Sequence, residues 1–102
     1  AQKVSKLRIF NDKQNKMNLS LGDISGSVLV ISQFTLCADT RKGRRPSFVN
    51  AESPELSKKL YNKFISCLED KGLEVQSGEF GSNMDVELVN NGPVTFVLDS
   101  ED

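Results

Sequence analysis

One apolar run constrains the fold more than any other feature of this sequence. Residues 27–36 are almost continuously apolar through Val28, Leu29, Val30 and Ile31. Strands that are covered on both faces have this composition, whereas half-exposed strands alternate apolar and polar residues. We therefore predict a central strand over residues 27–36.

The other elements are predicted strands on either side of one clear helix. Ser53 is a good N-cap and Pro54 suits the first helical position, while Gly72 is the predicted C′ residue at the other end. The predicted buried face of the helix consists of Leu56, Leu60, Phe64, Cys67 and Leu68. Strand-like stretches cover residues 7–10, 17–21, 73–76, 84–89 and 94–98. This order predicts an α+β fold with a mainly antiparallel sheet and one long helix.

Composition limits the function classes. The chain has 102 residues, enough for one domain with one core, and its formal net charge is −1. A nucleic-acid-binding domain is usually basic, so any RNA contact must come from a local patch. No apolar run approaches the roughly 18 residues that a membrane helix needs, so no membrane partner is expected. Cys37 and Cys67 are far apart, which favours free thiols and a cytoplasmic location.

The chain contains no histidine. A Ser-His-Asp triad, a Cys-His pair and an HExxH zinc site are therefore excluded within one chain. Two cysteines without histidine also disfavour a structural zinc site. We predict neither a metal nor a cofactor.

Polar residues follow the predicted central strand directly. Ser32, Gln33 and Thr35 flank Phe34 where the strand ends. Sites commonly form at the ends of sheets, but the hydroxyls of Ser32 and Thr35 can equally satisfy local backbone groups. The residues alone leave both interpretations open.

A second unusual stretch joins two predicted strands near the carboxyl end. Asn91 and Gly92 favour a type I′ hairpin turn, but Pro93 follows at once. Proline lacks an N–H and suits neither a central strand nor a regular ladder. The pattern predicts either a tight turn or a special loop, with a cis bond possible at Pro93.

Two further stretches are candidates for binding. Arg41, Lys42, Arg44 and Arg45 concentrate four cations within five residues, either as a solvated loop or as a contact for phosphates.

Residues 78–84 read as a glycine-containing turn that enters a strand, with Phe80 and Met84 in the core or in a pocket wall. The residue types alone favour the core position.

Residues 32–36 and 90–95 closely resemble the two signature segments of the D-aminoacyl-tRNA deacylases, and residues 43–48 also match that family's pattern. The resemblance implies an enzyme that hydrolyses the ester of D-aminoacyl-tRNA and of glycyl-tRNA while it rejects L-aminoacyl-tRNA. It also implies that Phe34 packs near the terminal adenosine. The backbone N–H groups around Phe34 and Thr35 would form an oxyanion hole.

The same resemblance implies a homodimer with composite sites. A Gly-cis-Pro element, here Gly92-Pro93, would reach into the partner's site, and Phe80 and Met84 would contribute to the pocket wall. Family members carry an N-terminal hairpin and most of a helix before the point that corresponds to residue 1. We therefore expect a single, N-terminally incomplete deacylase-like domain over residues 1–102.

Chemistry favours a positioning role for Thr35 over a nucleophilic one. An alcohol needs an adjacent base, and the sequence places no histidine, lysine or carboxylate beside Thr35. We expect substrate-assisted hydrolysis, in which the ribose 2′-OH orients water. The alternatives are a non-catalytic tRNA-binding or dimerisation module of the same fold, and a thiol enzyme that uses Cys37. The last lacks a group to lower the thiol pKa.

Overall fold

Two helices and four short strands make up the regular structure of residues 1–101, which are the residues that the computed structural model describes. In chain order the elements are α1 (Gln2–Lys6), β1 (Phe10–Asn11), β2 (Met17–Leu19), β3 (Ser27–Val30), a 3₁₀ turn (Phe34–Cys37), α2 (Pro54–Glu69) and β4 (Glu74–Ser77). The predicted mixture of helix and strand in one chain is confirmed.

The first two strands form an antiparallel hairpin. Phe10 lies opposite Leu19, and the register shifts before the next pair. One carboxylate organises the turn, because Asp12 Oδ1 accepts hydrogen bonds from the backbone N–H groups of Gln14 and Lys16 at 2.8 and 3.1 Å. These bonds, led by that of Lys16, hold the pKa of Asp12 below its ordinary value. The predicted strand over residues 7–10 is reduced here to its last residue and Asn11.

The other two strands are parallel, which corrects the expectation of a mainly antiparallel sheet. Val28 pairs with Val75, and Val30 pairs with Ser77. Parallel strands need a long crossover, and the connection from β3 to β4 contains the whole of α2. The continuous apolar run through β3 predicted a central strand covered on both faces, but among the described residues β3 has only β4 beside it and Leu29 is 57% exposed, so that expectation is wrong.

Three predicted strand stretches are wrong in extent or in kind. β3 ends at Val30 and the chain turns into a 3₁₀ helix at Phe34, so the strand predicted over residues 27–36 is too long. The stretches over residues 84–89 and 94–98 were both predicted as strands, but neither is a strand. A strand also needs a hydrogen-bonded neighbour, and none of the four strands pairs with these residues.

Helix α2 begins as predicted. The Ser53 side chain accepts a hydrogen bond from the backbone N–H of Leu56, and Pro54 occupies the first turn. At the other end Asp70 is the C-cap, and Gly72 has the left-handed φ of 80° while its N–H donates to Glu69 O at 2.9 Å. Gly72 is therefore C″, one position later than predicted.

The core is small and lies between α2 and the β3–β4 pair. Leu68 is fully buried, and Leu21 and Val30 are each 8% exposed. The helix turns a different face inward than predicted in its first half, because Leu56 and Leu60 are exposed while Tyr61 is half-buried. No helix among residues 1–101 is long and apolar enough to cross a membrane.

Candidate active site

The segment after β3 leaves the sheet at once and presents its side chains outward. Ser32 is half-buried, whereas Gln33, Phe34 and Thr35 are exposed. The Gln33 side-chain amide donates a hydrogen bond to the Thr35 hydroxyl. An amide is not a base, so this contact orients the hydroxyl without activating it.

The exposed ring of this segment packs on a second aromatic residue. The centroids of Phe34 and Phe48 are 4.9 Å apart and the rings meet at 64°, in an edge-to-face arrangement. Phe34 remains 62% exposed in spite of this contact. The pair therefore offers a supported aromatic surface that is open to a flat ligand.

Phe48 follows the basic stretch, whose ends are fixed to each other. The backbone N–H of Asp39 donates to Ser47 O at 2.7 Å, and the N–H of Ser47 donates to Asp39 O at 2.9 Å. The residues between them form a closed loop, here called the basic loop (residues 39–47). The loop that carries the four cations is therefore joined directly to Phe48, which packs on Phe34.

One of the four cations already has a partner. Asp39 Oδ1 accepts from Arg41 Nε at 2.9 Å, and Asp39 Oδ2 accepts from Arg41 Nη2 at 2.7 Å. The Arg41 side chain, followed by its backbone N–H, holds the pKa of the Asp39 carboxyl below its ordinary value. Lys42, Arg44 and Arg45 are exposed and form no ion pair with any of residues 1–101.

The predicted pocket-wall residues follow β4, the other strand of the parallel pair, and lie outside it. The ring centroid of Phe80 is 5.6 Å from that of Tyr61 on α2. Met84 lines a groove of about 240 Å³ with Leu29 and Ile31. Gly78 makes this packing possible, because a Cβ there would meet Met84 Sδ at 2.5 Å and Ile31 Cδ1 at 3.1 Å. Both Phe80 and Met84 are half-buried.

The Gly92–Pro93 bond is cis, as the resemblance implies, and the flanking residues form no hairpin ladder. Gly92 and Pro93 line a groove of about 740 Å³ beside the β1–β2 hairpin, against Phe10 and Met17. No residue from 32 to 35 is among the groove's lining residues in the described part of the chain. Within one chain, this groove and the Phe34 surface are therefore separate features.

Sequence reasoning missed two residues that organise this region. Asp39 fixes Arg41 and closes the basic loop, and its only sequence signal is an acid placed just before four cations. Tyr61 joins the ends of β3 and β4 through its hydroxyl. Its signal is a phenol on an otherwise apolar helix face. No group of three or more Cys, Asp or Glu residues among residues 1–101 could hold a metal ion.

Comparison with known proteins first identifies the class of protein to which the chain is similar. A family model described as D-Tyr-tRNA(Tyr) deacylase matches residues 1–99. A D-aminoacyl-tRNA deacylase of Thermosipho africanus is 54% identical over 99% of this chain and 68% of its own length. One of Thermotoga petrophila is 57% identical over 98% of this chain and 67% of its own length. The chain thus spans about two thirds of these relatives.

The chain belongs to the D-Tyr-tRNA(Tyr) deacylase family. The recognition made from residues 32–36 and 90–95 is confirmed, and the relatives' names support the predicted hydrolase activity on D-aminoacyl-tRNA.

Two other similar proteins carry names that differ from those of these deacylases. A Bacillus subtilis protein named as an inactive D-aminoacyl-tRNA deacylase is 54% identical over 99% of this chain and 76% of its own length. A solved structure, the c-Myc DNA Unwinding Element Binding Protein, has a TM-score of 0.80 and is 35% identical over 91% of this chain and 64% of its own.

Proposed function

We propose that the protein hydrolyses the ester bond of D-aminoacyl-tRNA and of glycyl-tRNA, releases the amino acid and free tRNA, and spares L-aminoacyl-tRNA. The observation that carries the proposal is the exposed turn Phe34–Cys37 beside the basic loop, in a chain that matches the deacylase family over residues 1–99. An open aromatic ring next to unpaired cations is suited to a terminal nucleotide and its phosphates.

The proposed mechanism relies on backbone donors and on the substrate. The first N–H groups of a helical turn have no partner within the turn, and in the turn Phe34–Cys37 these belong to Phe34 and Thr35. Aimed at the ester carbonyl, they would stabilise the developing oxyanion by several kcal/mol. Water, oriented by the ribose 2′-OH, adds to the carbonyl carbon. The bond to the ribose 3′-oxygen then breaks, and that oxygen takes up a proton.

The basic loop would place the acceptor end of the tRNA. Lys42, Arg44 and Arg45 are exposed and lack acidic partners among the described residues, so they remain available for phosphates. Arg41 is held by Asp39, so its share of the contact is smaller. Contacts to phosphates position a nucleic acid without reading its sequence, so little dependence on tRNA identity is expected.

Chiral selection is proposed to come from Gly92 and Pro93 of a second copy. In one chain these residues line a groove away from Ser32–Thr35, which supports a composite site in a symmetric dimer. Their carbonyls would accept from the substrate α-ammonium group. Their bulk would exclude the side chain of an L-amino acid, which is discrimination by a clash. Glycine has no side chain to exclude and would pass.

The test compares D-Tyr-tRNA and L-Tyr-tRNA side by side. Rapid loss of the D ester with the L ester spared is the expected result. Equal hydrolysis of both esters would refute the chiral mechanism. A monomer that still discriminates between them would refute the composite site.

A non-catalytic tRNA-binding or dimerisation module is the second candidate. The Bacillus subtilis relative named as inactive is as similar to this chain as the Thermosipho africanus deacylase, so identity alone does not decide activity. This candidate predicts that the protein binds tRNA and leaves both esters intact.

A further inference from the structure

One side chain of α2 fastens the two parallel strands where both of them end. The Tyr61 hydroxyl lies 2.7 Å from Gly78 O and 3.0 Å from Val30 O. The N–H of Gly78 also donates to Val30 O, at 3.1 Å. Val30 is the last residue of β3, and Gly78 follows the last residue of β4. The Tyr61 hydroxyl therefore connects α2 to the ends of both β3 and β4.

This junction, defined by Tyr61, Val30 and Gly78, lies directly before the candidate site. Ser32 is two residues beyond Val30, and Phe80 is two residues beyond Gly78 and packs on the Tyr61 ring. The ladder between the strands ends with the pair Val30–Ser77, so it does not extend to residues 31–35. The hydroxyl is thus the last cross-link before the chain turns outward to Phe34.

We propose that Tyr61 is a positioning residue that sets the direction in which residues 31–35 leave the sheet. The proposal rests on the proposed function for its catalytic consequence. The backbone N–H groups of Phe34 and Thr35 can stabilise an oxyanion only if they are held at one place, and a misplacement of about 1 Å can cost about a hundredfold in rate. The Tyr61 ring packs against Phe80, while the Tyr61 hydroxyl sets the direction in which residues 31–35 leave the sheet.

The alternative is that Tyr61 contributes only to stability, and its ring and hydroxyl can be separated. Tyr61→Phe keeps the ring against Phe80 and removes the cross-link. Ile65→Val is the matched control, because Ile65 is a half-buried residue of the same helix and lies one turn further along the same face. A lost methylene and a lost hydrogen bond destabilise a protein by comparable amounts.

The experiment measures amide hydrogen exchange and steady-state kinetics on D-Tyr-tRNA for the wild type and both variants. For Tyr61→Phe we expect exchange at Leu36, Cys37 and Ala38, whose N–H groups donate within the 3₁₀ turn, to rise by about tenfold or more beyond any global change, because the cross-link is lost. We also expect kcat to fall by about tenfold or more with KM within about twofold, because tRNA contacts remain intact. Ile65→Val should leave both unchanged.

Each outcome bears on a different claim. Unchanged local exchange at Leu36, Cys37 and Ala38 in Tyr61→Phe overturns the positioning role, whatever the activity. Faster exchange with an unchanged kcat overturns its catalytic consequence. An inactive wild type refutes the proposed function and with it that consequence, while the exchange measurement still decides whether Tyr61 holds the segment.

Discussion

Two regions of this protein are both predicted from the sequence to contain strands, but they have different structures. Residues 27–78 contain a strand pair, the helix that joins it and the fully buried Leu68. Residues 84–89 and 94–98 were also predicted as strands, yet they form no strand, and Val89 and Val97 are 94% and 90% exposed. The contrast shows that a pattern becomes a strand only where a neighbouring backbone supplies hydrogen bonds.

The largest expected effect tests this contrast through stability. Leu68→Ala removes the fully buried side chain and should cost about 2–5 kcal/mol of unfolding free energy. Val97→Ala, in the exposed region, should cost less than about 0.5 kcal/mol. Urea denaturation of both variants gives the comparison, and equal losses would contradict the division into two regions.

The second-largest expected effect tests whether residues 84–98, which form no strand, contribute to function. A Cβ on Gly92 would collide with the backbone N of Val94, so Gly92→Ala must shift the segment. We expect discrimination between D and L esters to fall by about a hundredfold with little change in stability. Gly22→Ala is the matched control, because its Cβ would meet nothing nearer than Ser20 Oγ at 4.0 Å. Full discrimination in Gly92→Ala would contradict the role of this segment.

A smaller effect separates the cations of the basic loop. Arg44→Ala should weaken tRNA binding severalfold and lower the slope of log K against log salt by about 1, because a phosphate contact is lost. Arg41→Ala should lower the slope by less, because Arg41 is paired with Asp39. Binding titrations from low to high salt measure both slopes. A larger slope change in Arg41→Ala would reverse the assignment.

A smaller effect still is expected at the Thr35 hydroxyl. The hydroxyl accepts a hydrogen bond from the neutral side-chain amide of Gln33, which cannot act as a base, so Thr35→Ala should retain substantial activity. A tRNA that lacks the terminal 2′-OH should not be hydrolysed. A dead Thr35→Ala that binds tRNA normally would restore the nucleophile hypothesis.

The smallest effect concerns the exposed thiol. Cys37 ends the 3₁₀ turn and is accessible to reagents. Selective alkylation of Cys37 in a Cys67→Ala background should leave hydrolysis of D-Tyr-tRNA within about twofold, because the proposed mechanism uses no thiol. Complete inactivation, with tRNA binding intact, would support the thiol-enzyme alternative.

What the sequence predicted well is local in origin. Ser53 and Pro54 start α2 through contacts within one turn, so their residue types suffice to place the helix. The parallel pairing of β3 and β4 depends on residues that are far apart in the chain, and the prediction of the sheet failed there. Which helix face is buried was also decided at a distance, by the carbonyls that the Tyr61 hydroxyl meets.

The same distinction between local and long-range contacts applies to the candidate site. Phe34, Thr35 and the basic cations could be proposed from the sequence because they lie in short contiguous segments with a recognisable pattern. Asp39 and Tyr61 were missed, because their roles depend on partners that only the folded chain brings near. Residue types identify what a segment can contact, whereas the fold determines what holds it in place.

The closed ends of the basic loop have a consequence for affinity. The two hydrogen bonds between Asp39 and Ser47 join the loop that carries the cations to Phe48, which packs on Phe34. If a tRNA end binds as proposed, capture of a phosphate by the loop would confine the terminal base near the ring at an effective concentration of the order of millimolar or more. The two weak contacts would then act as one bivalent attachment, strong enough to select a tRNA end and weak enough to release it after hydrolysis.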